Sequence, residues 1–193
     1  IFLAAVSCSD KPQKKIMIGL VNFIVGDVVI ISSGNIETKA KIGMPLDAGM
    51  KIRVRGKSSI CEIYIGENAI KIFGDSLVSI ATLSFDKKDK TEKTSLVLDS
   101  GRAFFRIKSK LMKSQTFEVR TQTCTAAVRG TKFFVSETGS SSAVKCLGGK
   151  VEVSGKNEKK PVTIGKNAQA VPTTDRNTEK SEINEDEAAA LEK

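Results

Sequence analysis

The sequence predicts an all-β fold, with about a dozen short strands arranged as a β-helix-like solenoid or a two-sheet sandwich. Three observations predict it. Apolar residues recur in short runs of period 2 or continuous apolar character. Turn-forming residues stand between the runs at spacings of about 8 to 12 residues, as sandwiches and barrels require. No segment before residue 180 keeps a helical period.

Taken in order, the runs are Val28–Ile31, Ile52–Val54, Ile60–Ile65, Ile70–Phe73, Leu77–Ile80, Leu96–Leu98, Ala103–Ile107, Phe117–Val119, Phe133–Val135, Val144–Leu147, Val151–Val153 and Val162–Ile164. Gly26-Asp27, Ser33-Gly34-Asn35, Gly56, Gly66-Glu67-Asn68, Gly74-Asp75, Asp99-Ser100-Gly101, Gly148-Gly149, Gly155 and Gly165 separate them, because these residues tolerate the backbone conformations that turns demand. In the run from Arg102 to Lys108, Ala103, Phe105 and Ile107 face one way and Arg102, Arg106 and Lys108 the other, so one face is core and one is wet. Asp86–Lys93, free of apolar residues, and Glu137–Ser142 read as surface loops. Asn184, followed by Glu185, Asp186 and Glu187 and then by alanines and Leu191, reads as a capped short helix that frays unless it packs.

Composition narrows the chemistry. The chain has 193 residues, 40% hydrophobic and 27% charged, which suits one globular domain plus a tail. It has no histidine, so catalytic triads, histidine metal sites and zinc-protease motifs are excluded. No Trp, one Tyr and nine Phe leave little for stacking on nucleic acid or sugars. The sequence therefore implies no catalytic residue, metal, cofactor, nucleic-acid partner or small-molecule substrate. The net charge is +9, unevenly placed: residues 175–193 carry −4 and the body +13. Residues 102–132 hold eight bases and one acid, Glu118, which reads either as a solvated face or as a surface for anionic partners.

The chain opens Ile1-Phe2-Leu3-Ala4-Ala5-Val6-Ser7-Cys8, then turns polar with Lys11, Lys14 and Lys15. Small and apolar residues ending in cysteine resemble the end of a bacterial lipoprotein signal, with Cys8 as the lipid attachment site. Fewer than ten apolar residues cannot span a bilayer, which takes about 20. The expected organisation is therefore a leader, lipidated cysteine and tether over 1–15, an all-β domain over 16–172 and an acidic tail over 173–193. Export follows, to the bacterial cell envelope. Ser9 after the cysteine hints at sorting to the outer membrane. The remaining Cys61, Cys124 and Cys146 lie in or beside strand-like runs and read as buried small hydrophobes, with a Cys124–Cys146 disulfide as the alternative.

The most telling stretch is Ala127-Val128-Arg129-Gly130-Thr131-Lys132-Phe133-Phe134-Val135. Gly130 supplies a sharp bend between two strands, and the Thr131 hydroxyl can satisfy a freed backbone group. Together with Gly26-Asp27-Val28, the spacing from Gly43 through Leu46 and Gly49 to Ile52, the Gly66–Phe73 run, Leu96–Leu98 with Gly101, and Gly149-Lys150-Val151-Glu152-Val153, it resembles the FecR domain over roughly residues 20–170. Glu67-Asn68-Ala69 stands where that family usually has Asp-Gly-Ser. The resemblance implies an extracytoplasmic all-β module, of the kind best known for relaying ferric-siderophore uptake to a cytoplasmic sigma factor. No transmembrane helix or cytoplasmic helical region is read in this chain.

Arg106, Arg120, Arg129 and Lys132 are the candidate partner- or anion-binding residues; the alternative is that Arg129 pairs locally and Gly130 and Thr131 shape a turn. The expected function is a non-enzymatic, lipid-anchored interaction or signal-sensing module, held to the membrane by its lipid and bound to an envelope protein. A cell-wall or carbohydrate-binding lipoprotein is the alternative.

Overall fold

The computed structural model describes residues 18–86, 91–108, 115–156, 158, 160–172 and 178–192. Its elements are β1 (Gly19–Ile31), β2 (Glu37–Lys39), β3 (Pro45–Leu46), β4 (Lys51–Ile65), β5 (Asn68–Phe73), β6 (Ser76–Asp86), β7 (Thr91–Arg106), β8 (Gln115–Arg120), β9 (Cys124–Val128), β10 (Lys132–Glu137), β11 (Ser142–Gly148), β12 (Lys150–Gly155), β13 (Val162–Gly165), β14 (Ala168–Val171), β15 (Glu179–Glu182) and α1 (Glu185–Glu192). The chain is all-β, as its period predicts. Leader, Cys8 and tether lie outside the described residues.

One continuous ladder folds over itself into two layers, because β1, β4 and β7 each change partner midway. β4 pairs with β6 through Lys51–Val54 and with β5 through Ile60–Ile65. Residues 91–100 of β7 pair with β6, and residues 101–106 with β10. The first layer thus runs β1–β4–β5–β7–β10–β11–β14–β15, and the second runs β1–β4–β6–β7–β8–β9–β12–β13. Among the described pairings only β7–β8 is parallel, which fits the sandwich and not the solenoid.

Two corners show why glycine stands there. Gly101 (φ 90°) ends the first half of β7, and a Cβ on it would lie 2.2 Å from Ser76 Oγ and 2.6 Å from Ser76 Cα. Gly26 (φ 77°) bends β1, where a Cβ would meet Ser59 Oγ at 2.1 Å. Both positions need the left-handed region and a bare backbone. Small hydroxyls fill the space: Ser76 Oγ accepts from Arg102 N at 2.9 Å, and Ser59 Oγ accepts from Asp27 N at 3.2 Å.

Inward side chains of both layers form one core. Phe105 stacks on Phe133 within the first layer (centroids 4.8 Å apart) and meets Phe117 of the second edge-on at 6.3 Å. Ile52, Ile63, Ile70, Leu96 and Leu98 are fully buried around them. Each such side chain contributes about 1.5–3 kcal/mol of apolar burial.

The structure departs from the sequence reading where period 2 breaks. Strand β1 starts at Gly19, nine residues before the first apolar run, and its register shifts between Val21 and Phe23 and again between Val25 and Asp27, so alternation is lost. The stretch read as a loop at 86–93 is partly strand: Asp86 pairs with Thr91, Phe85 with Glu92 and Ser84 with Lys93. Neighbouring β8 extends that polar pairing, with Glu92 beside Gln115. In the tail, β15 adds to β14, and α1 begins where Asn184 Oδ1 accepts from Glu187 N at 2.7 Å. Ile183 is buried and Lys145 pairs with Glu187, so α1 is packed against the fold.

Gly101→Ala should cost about 2–5 kcal/mol, the sum of a left-handed alanine and an overpacked corner. Gly139→Ala has the same sign of φ, 93°, but open space around it, and should cost only about 1–2 kcal/mol. Urea denaturation of the two variants checks this; equal losses would refute the steric account of the corner.

Candidate functional site

The four basic candidates fall into two places. Arg106 ends β7 and Lys132 opens β10, and the two are direct cross-strand partners on the outer face of the first layer. Ala69 of β5 flanks Arg106 on its other side. Arg106 is exposed and makes no ion pair among the described residues. It lies between two shallow hollows: one of about 470 Å³ with Tyr64, Glu67 and Lys108, the other of about 100 Å³ with Glu62, Lys71 and Phe104.

Register adds residues that sequence order alone does not bring together. Lys71 of β5 pairs with Phe104, which pairs in turn with Phe134 of β10. Phe73 lies 6.0 Å from Phe134, with the Lys71 ammonium 5.4 Å and the Arg102 guanidinium 5.9 Å from its ring. This face therefore presents cations around a partly buried aromatic patch, a composition suited to an anionic or amphipathic partner. The strand alternation of 68–73 marks Lys71 and Phe73 as outward in the sequence, but not which strand stands beside them.

Several other cations are matched. The Arg55 guanidinium hydrogen-bonded to Glu37 holds that carboxyl below the usual carboxylate range, and Arg53 adds to it. Lys108 pairs with Glu67, and its backbone N–H donates to Asn68 Oδ1 at 3.1 Å. That buried asparagine gives the Glu67-Asn68-Ala69 turn a structural role.

Arg120 and Arg129 lie on the second layer and do not join this site. Arg120 pairs with Glu118 two residues away on β8. Arg129 follows β9 at the opposite end of the β8–β9 pair, since Phe117 stands beside Val128 and Arg120 beside Thr125. There it borders an open groove of about 780 Å³ with Glu118, Ala127, Lys150 and Glu152. The Arg-Gly-Thr segment links the layers. Gly130 takes φ 60°, Thr131 is 1% exposed, and the Thr131 hydroxyl donates to Lys150 O at 2.8 Å. Its carbonyl accepts from Ile107 N at 3.0 Å. Gly130 and Thr131 thus act as the turn-shaping reading requires.

A carboxylate beside a hydroxyl also lies inside the fold. Glu137, 3% exposed, accepts from Ser142 Oγ at 2.6 Å, from Gln122 N at 3.2 Å and from Gly139 N. Ser142 Oγ in turn contacts the hydroxyls of Thr121 and Thr123. None of the described hollows opens onto this network, which ties the start of β11 to the 121–124 turn and satisfies its buried groups. Among the described residues no cluster of acidic or cysteine side chains could hold a metal.

Cys61, Cys124 and Cys146 are buried free thiols. The alternative Cys124–Cys146 bridge is not formed, and the register explains why. Cys124 lies at the Ser142 end of β11, while Cys146 is four residues further along that strand, about 13 Å away. A disulfide needs Cα atoms within about 7 Å. Burial pushes the Cys61 thiol up to about 12, with Glu62 adding to it, and burial also raises Cys124 and Cys146.

Residues 35–152 match the family model described as FecR protein. Two crystal structures of a candidate anti-sigma factor from Parabacteroides distasonis ATCC 8503 are similar, each at a TM-score of 0.58. Their sequence identities to this chain are 18% and 19%, and 73% of this chain matches 63% of theirs, so the chain spans under two thirds of those proteins. At that identity the likeness is one of fold. A comparison with curated proteins finds no match.

In the Cys8→Ser protein, a disulfide reagent at pH 8 should label almost nothing while the fold is intact and all three thiols in denaturant. A group titrating near 12 is only about one part in ten thousand thiolate at that pH. Fast labelling of the native protein would show that these thiols are not shielded.

Proposed function

We propose that this chain, which belongs to the FecR protein family, is a non-enzymatic regulatory module of the bacterial cell envelope, held there by an acyl chain on Cys8. Its task is to engage an envelope protein through the basic outer face of the first layer, as a signal-sensing relative of the modules that relay ferric-siderophore uptake. Residues 1–15 serve as leader, acylation site and tether, 16–172 as the binding module and 173–193 as an acidic tail.

One observation carries this reading. Arg106 and Lys132 face each other across β7 and β10 at the solvent surface, Arg106 without a carboxylate partner among the described residues, while Arg53, Arg55, Lys108 and Arg120 each have one. An exposed guanidinium without an acidic neighbour gains when an acidic surface covers it. The Phe73–Phe104–Phe134 patch beside it adds apolar area that partner contacts can bury. The candidate anti-sigma factors of the same fold support a regulatory role.

Capture of an envelope protein should therefore fall at least tenfold in the Arg106→Glu/Lys132→Glu double variant, as loss of two interfacial charge contacts implies, and fall likewise in high salt. Arg120→Glu should leave capture nearly unchanged. Salt-insensitive retention on purified cell-wall sacculi would instead favour the wall-binding alternative. Fatty-acid labelling in cells should mark the wild-type protein and not Cys8→Ser; equal labelling of both would remove the anchor.

A further inference from the structure

Large apolar side chains left in solvent gather at one edge of the molecule. Leu20, Phe23 and Val25 of β1 are 47%, 47% and 42% exposed, and Ile36 and Ile42 are 68% and 67% exposed. Tyr64 stands directly across from Leu20 on β4. Ile36 immediately precedes β2, which pairs with β1. The 40–44 segment runs along β1 itself: Gly43 N donates to Val21 O at 2.7 Å, Val21 N to Met44 O at 3.0 Å and Ala40 N to Val28 O at 2.9 Å. That places Ile42 beside the edge, between the exposed lysine Lys41 and Gly43. Between these ties, residues 22–27 have no partner strand on the side away from β4 among the described residues. Exposed apolar side chains gathered along one edge call for a covering.

We infer that this β1 edge lies on the bilayer surface, docking the module against anionic phospholipid. The inference rests on the reading of Cys8 as the anchor. Cys8 precedes Ile18 by ten residues, a reach of at most about 35 Å, and the described chain begins at this edge. Lys11, Lys14 and Lys15 in the tether and Lys39 and Lys41 beside the rim supply the charge that an anionic headgroup layer attracts. Apolar side chains flanked by lysines are the composition of interfacial binders. Depth follows from the backbone: the unpaired polar groups of 22–27 need water or phosphate, so the edge sits among headgroups and not in hydrocarbon. Arg106 lies three strands from β1, about 14 Å away.

The protein has no Trp, so one introduced indole reports its own surroundings. Cys61, Cys124 and Cys146 are buried, and Cys8 is coupled to a maleimide lipid in vesicles containing phosphatidylglycerol. Emission from Phe23→Trp and, separately, Ile42→Trp should then shift to the blue and fall at least about twofold with bromine-labelled acyl chains, as expected of residues at the interface. Ser181→Trp on β15, at the far end of the layer, should do neither. Equal response at 23, 42 and 181 would overturn the docking, as would an unquenched Trp in both rim variants with light scattering showing a dimer, which would assign the edge to a second copy. The maleimide lipid supplies the anchor, so failure of acylation in cells and failure of docking are read separately.

Discussion

A hydrogen-bonded ladder can pass from one layer of a sandwich to the other only where its backbone turns, and here that turn depends on bare glycine at crowded corners. Gly26 and Gly101 let β1 and β7 serve both layers, with Ser59 and Ser76 close against them. Because those strands are shared, the inward faces of both layers converge on one core around Phe105, Phe117 and Phe133. The same arrangement places Arg106 at the end of β7 beside Lys132 of β10, although 26 residues separate them in the chain.

Polar groups divide sharply between interior and surface. Inside, the Glu137 carboxylate is surrounded by donors, and the Thr131 hydroxyl reaches Lys150 O. Such groups hold connections between layers. The three thiols follow the same logic, since burial makes the thiolate unfavourable and leaves them as small apolar filling. The surface then carries the interactions, with Arg53, Arg55 and Arg120 matched to neighbouring acids and the Arg106 face left open to an anionic partner.

Much of the fold is legible in the sequence because a strand with one dry face writes alternation into its residues, as Ala103, Phe105 and Ile107 do. Legibility fails where a strand carries little apolar signal or changes phase. β2 and β15 are polar, β9 is built partly of small residues, and the register shifts in β1 move Phe23 and Val25 to the exposed side. The site was half legible. Arg106 and Lys132 stand out as bases in a basic stretch, but so do Arg120 and Arg129, which the hairpin register sends to the other layer.

The sequence by itself determined the class of structure, the bend at the glycine of the Arg-Gly-Thr turn, the helix cap at Asn184 and the exclusion of histidine chemistry. Each of these depends on a residue's own conformational or chemical preference, or on neighbours two to four positions away. The tertiary structure decided that the strands form a sandwich, that Cys124 and Cys146 stand too far apart to join, and that Arg106 faces Lys132 while exposed apolar groups line β1. Those outcomes depend on which strands pair and in what register, and pairing between distant segments is settled by the packing of the whole core, which no local stretch of chain encodes.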